Sequence, residues 1–289
     1  MKFTVFTPTY NRASLIHRVY DSLMMQSIRD FEWIVIDDGS NDNTSELIES
    51  YKKEADFKIK YLYQENKGKV SAINSALEIA DGFFFLVFDS DDWCVDDALE
   101  RIYSEWLSIP DTHKASYAAV SCLKIYADGS VVGEDYNRMP KMGASYIDRF
   151  NNRIKGDKWE CIITDIHKKY KYDLSQNERY MAPEYSWLGI GCKYKTLFIN
   201  EPLSIIEYQT DGISRNNIKH RANNAKSTVK FYERAHLVSR GLINKVKVKV
   251  NLSRFYLHDL KVMKSFYIST FLFPIAVALY LNDLKKIKR

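Results

Sequence analysis

Cysteine is scarce and scattered: four in 289 residues, at Cys94, Cys122, Cys161 and Cys192, with no CxxC pair. That leaves neither zinc-ligand spacing nor a disulfide framework, and it favours a reducing, cytoplasmic setting. No signal-peptide pattern precedes the first strand-like run, Phe3-Thr4-Val5-Phe6. No internal repeat and no low-complexity tract is visible. The uncharged run Ser265–Leu281 has 17 residues and is broken by Pro274, short of the ~20 that a spanning helix needs. Bases flank it on both sides, at Lys261, Lys264, Lys285, Lys286, Lys288 and Arg289, so the charge pattern gives it no orientation. It reads as an interfacial or re-entrant membrane contact, or else as a helix buried on the main domain.

What is present is ordinary in bulk, with 46% hydrophobic and 27% charged residues, and fits one large domain or a domain with an appendage. Aromatics reach 14%, including 20 Tyr, which suits a carbohydrate-facing cleft without being specific for one. The net charge of +5 hides an asymmetry. Residues 215–289 carry 17 Lys and Arg against three acids (Glu233, Asp259, Asp283), a net of +14, which leaves −9 for residues 1–214. A basic end on an acidic body points to an anionic partner at that end, membrane or polyanion but not nucleic acid, or else to a plain solvated helix surface, and with the apolar run beside it a membrane is favoured.

Along the chain, short apolar runs alternate with helical periodicity. Lys2–Thr7 reads as a strand stopped by Pro8. A helix with Leu15, Val19 and Leu23 on one face is expected from Asn11. Glu32–Asp37 and Ile59–Gln64 are the next strands, with helices from about Thr44 and over Val70–Ala80. Phe83–Phe88 is the fourth strand, and a helix follows over Asp96–Ser108. This rhythm implies βαβ units, an α/β fold and a parallel sheet. Beyond it, Tyr117–Tyr126 with Asp128-Gly129 and Val131-Val132 reads as a hairpin. Ser145–Arg153 and Thr164–Tyr170 read as helices, and Lys158–Ile163 as a strand. Pro183 sits where a first helical turn tolerates it, in Ala182–Cys192. Thr196–Ile199 and Leu203–Tyr208 are separate strand candidates, and from Asn216 the pattern is helical and basic.

The densest chemistry lies in Phe88-Asp89-Ser90-Asp91-Asp92, three carboxylates within four residues at the end of an apolar run. Carboxylates this close repel one another, and a divalent cation, Mg²⁺ or Mn²⁺, relieves the repulsion. An Asp-rich first turn of a helix remains the plainer alternative. Thr9, Asp38, Asn66 and Lys69 follow the other three strands. In a parallel sheet all these ends share one edge, where open α/β sheets bind ligands. Lys69, beside Gly68 at a helix start, suits a phosphate oxygen. Asp38 can accept hydrogen bonds from a base or a ribose.

Four of these segments, in order, resemble the family 2 glycosyltransferases of GT-A fold: Thr7-Pro8-Thr9-Tyr10-Asn11-Arg12, Val35-Ile36-Asp37-Asp38-Gly39-Ser40, Asn66-Lys67-Gly68-Lys69 with Ala72 and Asn74, and Phe88-Asp89-Ser90-Asp91-Asp92. The resemblance covers residues 1 to about 105, and less specifically continues to about 214. It implies a GT-A type, Rossmann-like mixed sheet flanked by helices, with a catalytic domain over 1–214 and a basic helical extension over 215–289. It implies that Pro8, Thr9 and Tyr10 line the nucleotide, that Asp38 reads uracil, and that Asn66, Lys69, Asp89 and Ser90 complete the donor site. Asp89 and Asp91 become the metal-binding DXD pair, with Asp91 the principal ligand. The family often has Arg where this chain has Ile73, so Lys69 or Lys67 is expected to take over the phosphate contact.

The family's catalytic base lies at a helix start. Met181-Ala182-Pro183-Glu184-Tyr185 matches it with Glu184 as base, although Tyr185 stands where a following Asp is expected. Glu160 and Asp165 compete for the role. Segments 156–160 and 207–212 flank the base as pocket walls. One metal and one carboxylate suffice for transfer with inversion. No Gln-x-x-Arg-Trp motif is present, which favours single addition over processive synthesis. The expected activity is transfer from a nucleotide sugar, UDP-linked, to a glycan or lipid-linked acceptor at the inner face of the cell membrane, in surface polysaccharide assembly. A nucleotidyltransferase or a non-catalytic nucleotide-sugar-binding module are the alternatives. The first is expected to carry a Gly-rich loop where Pro8-Thr9-Tyr10-Asn11 stands, and the second has no need of Asp89 and Asp91.

Overall fold

The computed structural model describes residues 1–207, 209, 217–259 and 272–287. In chain order the elements are β1 (Phe3–Thr9), α1 (His17–Met24), β2 (Phe31–Asp37), α2 (Thr44–Glu54), β3 (Lys58–Tyr63), α3 (Lys69–Ile79), β4 (Phe84–Val87), β5 (Trp93–Cys94), α4 (Ala98–Ser108), α5 (Asp111–Lys114), β6 (Tyr117–Tyr126), α6 (Tyr146–Asn152), β7 (Lys158–Ile163), α7 (Thr164–Lys169), α8 (Glu184–Gly191), β8 (Lys195–Ile206), α9 (Asn217–Asn223), α10 (Ala225–Val238), α11 (Leu242–His258) and α12 (Phe273–Ile287). The strands form one sheet in the order β3-β2-β1-β4-β7-β6-β8-β5.

The first half obeys the βα rhythm. β1 pairs in parallel with β2 and with β4, and β3 extends the parallel set. Strands covered on both faces lose the polar half of their alternation, and β1 and β2 are accordingly almost continuous buried runs. The period of two still sorts their side chains. Phe3, Val5, Trp33, Val35, Phe84 and Leu86 join one core with Val19 and Leu23 of α1 and Leu99 and Ile102 of α4. Phe6, Ile34, Ile36 and Phe85 face the opposite way, onto Val70, Ile73 and Leu77 of α3 and Leu188 of α8. Each of these fully buried side chains contributes roughly 1.5–3 kcal/mol.

The second half makes the sheet mixed. β7 runs antiparallel to both β4 and β6, β6 is parallel to β8, and β5 is antiparallel to β8. Three local expectations change. The helix expected from Asn11 begins at His17. Asn11 has φ +52°, and it is tied to the loop after β2: its amide donates to Ser40 Oγ at 2.8 Å and its Oδ1 accepts from the Asn41 amide at 2.8 Å. The hairpin after β6 reduces to a turn at Gly129 and one bridge, Ile125 to Val131. The two strands expected around 196–208 are one, β8, because irregular register against β6 absorbs the Asn200-Glu201-Pro202 interruption.

The basic C-terminal part is helical where described. α10 packs on α8 and α11, and α11 on α12. The last two are joined by a buried ion pair: Arg254 Nε lies 2.6 Å from Asp283 Oδ2, and His258 Nε2 lies 3.1 Å from the same oxygen. The C-terminal part of the uncharged run lies in α12, where Ala276 is buried and Ile275 and Leu281 are exposed. Among the described residues no helix is long and apolar enough to cross a membrane. Residues 265–271 of that run, and Tyr208 and 210–212 of the expected pocket wall, lie outside the described residues.

Candidate active site

The parallel strands end on one edge, and Asp38 organises it. The Asp38 amide continues the ladder to the Thr9 carbonyl at 2.8 Å. Its buried carboxylate accepts from Gln64 Nε2 at 2.7 Å and from the Lys67 and Gly68 amides at 2.8 Å each. The loop that starts α3 is therefore hung from the end of β2. Asp37 supports the same turn, accepting from the Ser40 amide at 2.7 Å and from the Tyr61 hydroxyl at 2.8 Å. Burial and that bond to Asp37 push the Tyr61 phenol up to about 12. Thr9 is buried and its hydroxyl has no partner among the described residues. Tyr10 is 47% exposed over the edge.

Gly68 explains why this loop needs glycine. It has φ +89°, and a Cβ there would lie 2.0 Å from the Arg179 carbonyl oxygen. Arg179 also reaches back, its Nη1 donating to Asn66 Oδ1 at 3.1 Å. The loop at 66–69 and the segment leading to Glu184 are thus in direct contact.

Lys69, the first residue of α3, meets Asp89 Oδ1 at 2.5 Å, each side chain 30% exposed. Burial works against the Lys69 ammonium, but Asp89 outweighs it and lifts the pKa above the ordinary value. Burial would raise Asp89, yet Lys69 and Lys124 together hold it below the usual carboxylate range. Asp91 moves the other way, pushed up by burial and by the charge of Asp89. Behind the pair, Asp92 is buried against Lys124 of β6 at 2.9 Å, and Lys124 also reaches Asp157 at 3.1 Å. Burial raises Asp92 despite that partner. Ser90 is buried between the two metal-binding candidates.

Those two carboxylates fit a divalent ion that takes one or two protein ligands and completes its shell with substrate phosphates. Among the described residues no group of three or more His, Cys, Asp or Glu is arranged to hold a metal.

Glu184 opens α8, half-buried, with Pro183 before it. The Tyr172 hydroxyl donates to the Pro183 carbonyl at 3.1 Å, and Asn74 of α3 clamps the Tyr172 backbone with bonds of 2.9 and 3.0 Å. Burial, then the charge of Glu184, raise the Tyr172 phenol. Burial raises the Tyr180 phenol, against the opposing charge of Arg221. Of the competing carboxylates, Glu160 is buried against Arg149 at 2.6 Å, and burial pushes it up to about 7. Asp165 is exposed in the first turn of α7.

Residues 4–113 match the family model described as glycosyl transferase family 2. The family resemblance therefore holds over residues 4–113. Glycosyltransferase GlyA of Streptococcus pneumoniae is 35% identical over 104 residues, covering 36% of this chain and 15% of that protein. The chain spans between 13% and 50% of the length of eight of its curated relatives. Among solved structures, Staphylococcus aureus TarS 1-349 in complex with UDP-GlcNAc superposes with TM-score 0.65 at 17% identity, covering 98% of this chain and 81% of that one. The mannosyltransferase PcManGT from Pyrobaculum calidifontis, in complex with GDP-Man and Mn²⁺, gives TM-score 0.62 at 19% identity over 99% and 83%. At these identities the likeness is one of fold, and it is the GT-A fold.

The sheet edge thus gathers Thr9, Asp38, Asn66, Lys69 and Asp89 through direct bonds and loop contacts. Sequence reasoning missed Lys124 and Arg179, and had Asp157 only as part of the pocket wall 156–160. The one available signal was Lys124 itself, a lysine inside the apolar run of β6.

Proposed function

We propose that this chain moves a sugar from a nucleotide-sugar donor, UDP-linked, to a hydroxyl of a glycan or lipid-linked acceptor, with inversion at the anomeric carbon. The observation that carries the reading is the convergence of Asp38, Lys69 and Asp89 on one sheet edge, in contact through Gly68 and Arg179 with the segment that presents Glu184. The UDP-GlcNAc complex of TarS supports a UDP-linked donor. Pro8, Thr9 and Tyr10 line the nucleotide, with the Thr9 hydroxyl, which has no partner among the described residues, and the exposed Tyr10 ring turned to its use. Asn66 and Ser90 complete the donor site. Asp38 sets the loop that frames the base. Lys69 exchanges its bridge to Asp89 for a phosphate oxygen, a charge-assisted bond of the same kind.

Asp89 and Asp91 would hold Mg²⁺ or Mn²⁺, which when bound would supply charge neutralisation for a departing diphosphate. Glu184 takes the proton from the acceptor hydroxyl as the oxygen attacks the anomeric carbon. The catalytic unit is residues 1–214. The basic part, 215–289, places the enzyme against the inner face of the cell membrane during surface polysaccharide assembly. A thermal-shift panel of UDP-, GDP- and dTDP-sugars, with and without Mn²⁺, tests the donor. Asp91→Ala is expected to abolish metal-dependent turnover. Glu184→Gln is expected to keep donor binding and lose transfer; near-normal transfer by it moves the base elsewhere.

A further inference from the structure

The turn between α10 and α11 exposes three aliphatic side chains that a folded chain normally hides: Leu237 at 85%, Leu242 at 78% and Ile243 at 59%. Nothing about the turn is loose. Asn151 of α6 donates to the Val238 carbonyl at 3.1 Å and accepts from the Arg240 amide at 2.6 Å, while Asn244 Nδ2 donates to the Asn151 carbonyl at 2.9 Å. Immediately beside it lies a polar groove of about 450 Å³ lined by Arg138, Arg153, Lys155 and Lys247, with Glu134 the one acid. Glu134 is already engaged, accepting from Arg138 at 2.9 Å and from the Lys155 amide at 2.9 Å. Ile243 and Lys247 stand four residues apart on α11 and so share a helix face. Lys245 is exposed on the same helix.

We infer that this rigid tip is the membrane-docking element: Leu237, Leu242 and Ile243 enter the acyl boundary of an anionic bilayer, and the groove of Arg138, Arg153, Lys155 and Lys247 receives lipid phosphates. Apolar tips ringed by bases bind such surfaces through buried area plus attraction to anionic headgroups, and this part of the chain has the complementary charge. The inference rests on the membrane reading above and moves the contact from the uncharged run at 265–281 to the α10–α11 turn.

The test is co-sedimentation of the full chain with vesicles of phosphatidylcholine alone or of equal parts phosphatidylcholine and phosphatidylglycerol. Binding is expected on the anionic vesicles only, weakening with salt. Lys155→Glu/Lys245→Glu/Lys247→Glu is expected to lower the partition coefficient at least about a hundredfold, at roughly fivefold per charge removed. Leu242→Ser/Ile243→Ser is expected to lower it about tenfold or more. These side chains are exposed, so the thermal midpoint is expected to stay put, which separates lost docking from lost folding. If the unaltered chain ignores anionic vesicles, the membrane reading and this inference fail together. If both variants sediment like the unaltered chain, only the α10–α11 site fails, and another segment makes the contact.

Discussion

Replacing Asp38 by Ala separates two roles for one carboxylate. A residue that only reads the nucleotide base leaves the free protein unchanged when it is removed. Asp38 in this structure accepts three bonds inside the chain, two of them from consecutive backbone amides at Lys67 and Gly68. Hydrogen bonds to a charged group are worth roughly 1.5–3 kcal/mol each, and buried donors left unpaired add their desolvation cost. Water entering the vacated space recovers part of this, so the expected loss is about 2–4 kcal/mol. For a chain of this size that lowers the melting midpoint on the order of 5–10 °C. The loop that frames Lys69 loosens as well, so UDP affinity is expected to fall together with stability. Calorimetric melting and UDP titration on the same preparation decide the matter. An unchanged midpoint with weakened UDP binding refutes the loop-organising role and assigns Asp38 to the base alone.

Two further predictions follow from buried groups. Lys124→Met leaves Asp92 buried without its partner and is expected to destabilise the fold by about 3–5 kcal/mol at neutral pH. The deficit in denaturant unfolding should shrink towards acid pH, because burial already raises Asp92 and its protonation removes the unpaired charge. His167 is buried with no partner for either ring nitrogen among the described residues, edge-on to Phe85 and Tyr172, and burial lowers its pKa from 6.5 to about 3. A depressed folded-state pKa gives stability that is complete above the unfolded value and lost as pH falls through the window from 6.5 to about 3. Between pH 6.5 and 5 that is a loss of roughly 2 kcal/mol, and His167→Phe should flatten it; an equally steep decline in the variant assigns the acid sensitivity to other groups.

The first four strands were legible because their apolar runs are local and their helices carry one buried face. The boundaries moved only where distant residues intervened. Asn11 looks like a helix start by itself, and it is the loop at 40–42 that captures it. β8 reads as two strands because Pro202 breaks the pattern, and only the bulged register with β6 shows one. The site followed the same division. Thr9, Asp38, Asn66, Lys69 and Asp89 sit at strand ends, where position in the chain predicts position in space. Lys124 finds Asp92 and Asp157 across 32 and 33 residues, and Gly68 meets Arg179 across a greater span. No local pattern encodes such pairs. Glu160, a competitor for the base by residue type, is engaged with Arg149 for a reason visible only once α6 and β7 are side by side.

The order of the sheet has a consequence for how the chain behaves in company. A sheet ends somewhere, and its last strands offer unpaired backbone groups to any neighbour. Here one end is β5, a strand of two residues, too short to template another chain. The other end is β3, whose Lys58 and Lys60 are paired to Asp81 at 3.2 and 2.8 Å. Charge at one border and brevity at the other discourage edge-to-edge aggregation, so the buried runs of β1 and β2 can be as apolar as the core demands.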